Sequence, residues 1–187
     1  MAILTLGKKM GAVISTGIIL CLLPFFVCAE EKTLQLYEHK IKAGLVYNLL
    51  KYTTWSKESP AQTSGKLQIC LFGEDPFDGY LSPLKGRTAQ QALISITHIN
   101  KVENTTGCSV VIIHRDQEKN LSALLQFLQN KNVLTISDIA QFAQRGGMVE
   151  MSKEDEKINL YINKNAVNHA GLNIQEPMLK LAKIVAS

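Results

Sequence analysis

Between residues 31 and 55, apolar side chains return every three or four positions. Leu34, Glu38, Ile41, Leu45, Leu49 and Tyr52 make one mostly apolar stripe, and Ala43, Val46, Tyr47 and Leu50 widen it. This period predicts a helix over 31–55. From 41 to 52 the helix is apolar around more than half its circumference, so it is buried between layers or covers its extra face with a partner. Trp55 closes the segment, and a polar Ser/Pro/Gly loop occupies 57–66.

Short apolar runs follow. Residues 67–72 (LQICLF) read as a buried strand, and 76–84 as a short helix opened by Pro76. Residues 92–99 (ALISITHI) alternate as a strand does. Residues 109–113 have the continuous apolar run of a central parallel strand. Leu121, Leu124, Leu125 and Leu128 share one face of a helix over 120–130, and 133–136 is the next strand. Ser137 and Asp138 cap a predicted helix over 139–144 that Gly146 stops. Residues 148–151 and 157–162 form a hairpin across the charged turn 152–156. A helix over 163–170 ends at Gly171, and 177–186 reads as a last amphipathic helix with Met178, Leu181, Ile184 and Val185. This order predicts an α/β fold of three layers: a mixed sheet with a parallel centre and an antiparallel edge hairpin, and helices on both faces.

The first residues read differently. Lys8 and Lys9 precede an apolar stretch from Met10 to Val27, and Val27-Cys28-Ala29 offers small residues just before Glu30 and Glu31. This is the pattern of a secretory signal peptide over 1–29, cut after Ala29, which places the mature domain 30–187 outside the cytoplasm. The alternative is an uncleaved anchor, since the apolar stretch could just span a bilayer.

Export changes the meaning of the cysteines. Cys21 and Cys28 leave with the leader, so Cys70 and Cys108 remain as an even pair in an oxidising compartment. They are expected to form a disulfide; two buried thiols are the alternative. No CxxC motif is present, and two cysteines cannot make a zinc site.

The chain has 187 residues, 46% hydrophobic and 19% charged, the make-up of one ordinary globular domain. A net charge of +4, two units of it in the leader, and 6% aromatics argue against nucleic-acid binding. His39, His98, His114 and His169 stand singly, with no HExxH, GxSxG, Walker A or GxGxxG. His114-Arg115-Asp116 imitates a kinase catalytic loop, but Asn120 comes one residue too early. No catalytic, metal or cofactor site is expected. The loops Gly73-Glu74-Asp75 and His114-Arg115-Asp116 should both lie at the C-terminal edge of the sheet, where open α/β sheets hold ligands. They are either a small-ligand crevice or ordinary solvated turns. Leu45, Tyr47 and Leu50 on the first helix, with Met178, Leu181 and Ile184 on the last, are candidate partner contacts or core.

Several stretches in order resemble the YfiR family of small bacterial periplasmic proteins. Ile41-Lys42-Ala43-Gly44-Leu45-Val46-Tyr47-Asn48-Leu49-Leu50-Lys51-Tyr52 with Trp55 is similar to the family's first-helix signature. Gly73-Glu74-Asp75-Pro76-Phe77 resembles its "G.DPF" turn, and Phe142-Ala143-Gln144-Arg145-Gly146-Gly147-Met148 its "F...GGM" element. Gly107-Cys108, the strand ending Ile136-Ser137-Asp138, Ala170-Gly171-Leu172 and Met178-Leu179-Lys180-Leu181-Ala182 follow in family order. The resemblance covers roughly 38–185. It implies a non-enzymatic repressor that binds the periplasmic region of an inner-membrane diguanylate cyclase and controls cyclic di-GMP, hence biofilm and motility. It further implies a homodimer and, in one arrangement, sequestration by an outer-membrane lipoprotein. A small-ligand-binding sensor is the other reading.

Overall fold

The computed structural model describes residues 24–155 and 157–185, with side chains from Gln35 onward. The chain divides into two compact units, Met1–Gln35 and Leu36–Ser187. Residues 1–23 of the expected leader lie outside the described residues. Pro24–Ala29 open helix α1 (Pro24–Tyr52). There follow β1 (Thr53–Thr54), α2 (Pro60–Thr63), β2 (Lys66–Phe72), β3 (Thr88–Ala89), β4 (Ala92–Ile99) and β5 (Val110–Ile113). Then come α3 (Leu121–Leu128), β6 (Leu134–Ser137), β7 (Val149–Glu154), β8 (Lys157–Asn163), α4 (Lys164–His169), β9 (Asn173–Ile174), α5 (Glu176–Leu179) and β10 (Ala182–Val185).

Eight strands form one sheet in the order β10-β8-β7-β6-β5-β2-β4-β3. Its centre is parallel: Ile69 pairs with Val110, Val110 with Leu134 and Ile69 with Ile96. The β7–β8 hairpin is antiparallel, from Val149↔Ile162 to Glu154↔Lys157. Every residue of β5 and β6 is buried. That is why these runs are apolar without alternation: both faces are covered. Ile69, Leu71, Val110, Ile112, Leu134 and Ile136 pack with Ala43, Val46, Leu49 and Leu50 of α1. Cys70, Phe72, Val111 and Ile113 pack on the other face with Leu121, Leu124 and Leu128 of α3. The three-layer mixed α/β architecture is therefore present.

Cys70 and Cys108 are joined in the α3-side layer, with Cα atoms 5.9 Å apart and a sequence separation of 38. Closing a loop of that length restrains the unfolded chain by about 3–4 kcal/mol in the chain-entropy account.

Four local expectations need correction. Helix α1 ends at Tyr52, not at Trp55. The Gln90 side-chain amide donates to the carbonyls of Leu50 (2.8 Å), Lys51 (3.0 Å) and Thr53 (2.6 Å), and Thr53–Thr54 then pair with β9. Residues 76–84 are turns ending in a 3-10 turn, Ser82–Leu84. Asp75 accepts the N–H groups of Phe77 and Gly79, both at 2.9 Å, and Asp78 and Gly79 take positive φ, which no α-helix allows. Residues 139–144 are also turns. The buried Glu150 carboxylate on β7 accepts the N–H of Gln141 and of Ala143, both at 3.2 Å, and Gln141 sits at φ +59°. The last predicted helix is one turn, α5, followed by β10. Residues 182–185 pair in parallel with Leu160–Asn163 of β8, where the ladder replaces helical hydrogen bonds.

Candidate functional site

The C-terminal ends of β2, β5 and β6 lie side by side, so the segments following them meet. The N–H of His114 donates to the carbonyl of Phe72 at 3.0 Å and fixes the two expected loops against each other. Gly73 turns the chain at φ +91°. A side chain there would run into the Asp116 carboxylate. That carboxylate also accepts the N–H of Glu74 at 3.3 Å, and Nδ1 of His114 accepts the N–H of Asp116 at 3.3 Å. All six crevice residues thus come to one edge, and Asp116 occupies the space between the loops. Asp75 is engaged with its own turn.

Arg115 leads to a feature missed at the level of sequence. Its Nη2 donates to Oδ2 of Asp138 at 2.6 Å, just beyond β6. Lys42, 3% exposed on α1, places Nζ 3.4 Å from the same oxygen and 2.7 Å from Oε1 of Glu38. Lys153 on β7 reaches Oε2 of Glu38 at 3.2 Å. Five alternating charges, Arg115–Asp138–Lys42–Glu38–Lys153, therefore tie α1 to three points of the sheet. Burial opposes ionisation of Asp138, but Arg115 and Lys42 outweigh it and hold the carboxyl below its ordinary value. Glu38 follows the same rule: burial raises it, and Lys42 and Lys153 bring it lower still. The i,i+4 spacing of Glu38 and Lys42 was the available sequence signal. Their link to Asp138, 96 positions from Lys42, was not readable. A chain of paired charges positions elements, with only Oδ1 of Asp138 buried without a hydrogen-bond partner; it offers no nucleophile–base pair. Among the described residues, no group of three His, Cys, Asp or Glu side chains is placed to hold a metal ion.

The candidate partner residues separate. Leu50 is fully buried (0%) and Met178 nearly so (1%). Both are core, because they fill the layer between α1, the α5 turn and the sheet, and neither can be a surface contact of the folded domain. Leu45 and Tyr47 are half-buried against that core, and the Arg87 guanidinium lies 4.9 Å from the centre of the Tyr47 ring. Leu181 and Ile184 are 64% and 51% exposed, on and just before the border strand β10 rather than on a helix. Beside them Lys183 donates to the Tyr161 hydroxyl at 3.1 Å and lies 3.5 Å from Glu154.

A model of YfiR/HmsC-like proteins matches residues 39–183. The chain belongs to the YfiR/HmsC-like family. The family is periplasmic, regulatory and non-catalytic, and is associated with diguanylate cyclases. No curated protein matches the sequence. Among solved structures, the chain is similar to an ABC domain in complex with L-Trp from Streptococcus pneumonia. Identity is 10% and the TM-score 0.48, over 67% of this chain and 56% of that one. The chain thus spans little more than half the length of that structure. No helix among the described residues is long and apolar enough to cross a membrane.

The fold explains much of what makes this chain YfiR-like. Lys42 is the centre of the charge chain, and Ala43 lies in the core. Trp55 is buried, with Nε1 donating to the carbonyl of Ser109 at 3.4 Å. Gly147 has the Phe142 ring where a Cβ would stand. These signature residues build the scaffold.

Proposed function

We propose that this YfiR/HmsC-like chain is a periplasmic negative regulator. Exported by its leader 1–29 and acting as the single domain 30–187, it binds the periplasmic region of an inner-membrane diguanylate cyclase and holds cyclic di-GMP production down. The observation that carries this reading is the family match over 39–183, nearly the whole of the second unit. The placement of Leu181 and Ile184 supports it. Two large apolar side chains stand exposed around a border strand, where a partner can bury them and bond the open strand edge. Half-buried Leu45 and Tyr47 are secondary candidates. A second copy of the chain and an outer-membrane lipoprotein are the further partners that family membership suggests.

The test is capture from solubilised inner membranes with the exported chain as bait, paired with cyclic di-GMP measurement in a strain lacking the gene. A membrane diguanylate cyclase in the captured fraction and a raised cyclic di-GMP level are expected. Capture without a cyclase, or an unchanged level, defeats the proposal.

A further inference from the structure

Away from both regions, α3, the start of β6, the turn 145–148 and α4 enclose a cleft of about 430 Å³. That volume falls within the range of small-molecule sites. Its lining is divided. Leu125, Leu128, Met148, Ala166 and Ala170 supply apolar surface, whereas Arg145 and His169 are its ionisable side chains. No Asp or Glu lines it.

Three lining groups retain hydrogen-bonding capacity. The Thr135 hydroxyl oxygen accepts the N–H of Met148 at 3.1 Å. This leaves its own proton to donate, on a side chain 2% exposed. Arg145 gives Nη1 to Glu118 at 2.9 Å. One carboxylate oxygen on one nitrogen fixes the guanidinium and leaves the rest of its five-donor fork. His169 places Nδ1 2.8 Å from the carbonyl of Asn165. A carbonyl only accepts, so Nδ1 carries the proton and Nε2 is the ring's remaining polar atom.

We infer that this cleft is a binding site for a small organic anion with an apolar body, its acidic head taken by Arg145 and Thr135 and its body laid on Leu125, Leu128 and Met148. The absence of any lining carboxylate sets the sign of the ligand, and the apolar lining sets its shape. An inorganic ion would leave that apolar surface wet. A neutral apolar molecule would leave the guanidinium donors not used by Glu118 facing the cleft without an acceptor from the ligand. The site lies apart from β10 and does not depend on the regulatory reading.

Benzoate and phenylphosphate serve as probes, with benzyl alcohol and acetate as controls lacking the charge or the body. They are titrated into ¹⁵N-labelled protein while backbone amide shifts are followed. At least one aromatic anion should give saturable shifts at Arg145, Gly146, Thr135 and Ala166, and both controls should bind at least about tenfold more weakly. The stronger anion tells whether the head is a carboxylate or a phosphate. Arg145→Gln should reduce binding at least about tenfold, the equivalent of one charge-assisted hydrogen bond. Glu118→Gln removes the same ion pair but keeps the cation, so it should bind at least as well as wild type. Ser122→Trp, on the exposed rim, should block the cleft while preserving the rest of the spectrum. The inference fails if neither anion saturates these amides, if benzyl alcohol matches them, or if Arg145→Gln and Glu118→Gln behave alike.

Discussion

At the C-terminal edge of the sheet, Asp116, Asp138, Glu38 and Lys42 are each bonded to another part of the same chain. Along the β10 border, Leu181 and Ile184 stand 64% and 51% exposed. The edge pairs its charges internally because they are partly or fully buried, and a buried charge without a partner costs several kcal/mol. The border tolerates its apolar groups because each lone exposed Leu or Ile costs little. What the border leaves unmade is potential: each side chain returns roughly 1–2 kcal/mol when a partner covers it. The edge therefore sets the shape of the domain, whereas the border can be read by another molecule.

Breaking the edge should have the largest effect. Lys42→Ala leaves Glu38 and Asp138 without the cation that lies between them. About 3–5 kcal/mol of stability should be lost, read from the midpoint of urea unfolding at neutral pH. A loss below about 1 kcal/mol would show that the edge is not the constraint described.

Glycine substitution sharpens the same point at smaller scale. Gly65 and Gly73 both have positive φ, +64° and +91°, but only at Gly73 does an added Cβ meet another group, the Asp116 carboxylate. Gly65→Ala should cost about 1 kcal/mol and Gly73→Ala about 2–3 kcal/mol. Adding Asp116→Ala to Gly73→Ala should bring the two sites level if the crowding is real.

Titration probes the edge without changing its packing. Asp138 and Glu38 have carboxyls held below their ordinary values in the folded protein. A depressed folded value gives stability that is fully present above the unfolded carboxylate range, near pH 4, and is lost as pH falls through the folded value. Stability of the wild type should thus fall from about pH 4 downward. Asp138→Asn should start lower and fall less steeply over that window. An equal slope in both would mean that Asp138 does not contribute.

The central strands and the two layers were legible because β2, β5 and β6 are buried on both faces and their composition follows from that alone. The loops at the C-terminal edge were legible for the same reason, since strand ends and topology place Gly73 and His114 together. The turns over 139–144 were not. Their N–H groups are taken by Glu150 and the Ala143 carbonyl by Asn163 (2.9 Å), partners on other strands that no local period reveals. The end of the chain failed in a different way. Met178, Leu181, Ile184 and Val185 fit a helical stripe, yet Ile184 and Val185 are also good strand residues, and the open edge of β8 decides between the two. Tertiary pairing therefore moved Leu181 and Ile184 from a predicted helix to a border of the sheet, where both stand exposed.

The smallest stability effect belongs to that border, and it carries the functional test. Leu181→Asp and Ile184→Asp put a charge where water already reaches, so each should leave the melting curve within about 0.5 kcal/mol of wild type. Met178→Asp, 1% exposed and one turn away, buries an uncompensated carboxylate and should unfold the domain. If β10 is the surface that meets the cyclase, the two exposed variants should accumulate to normal levels in the periplasm while cyclic di-GMP rises toward the level of the gene deletion. Tyr37→Asp, at a 66% exposed position on α1, serves as a surface control and should leave repression intact. Binding should weaken only modestly with added salt, since apolar burial rather than charge steering drives it. Folded, abundant Leu181→Asp and Ile184→Asp proteins that still repress fully would move the contact away from β10, with Leu45 and Tyr47 the next residues to change.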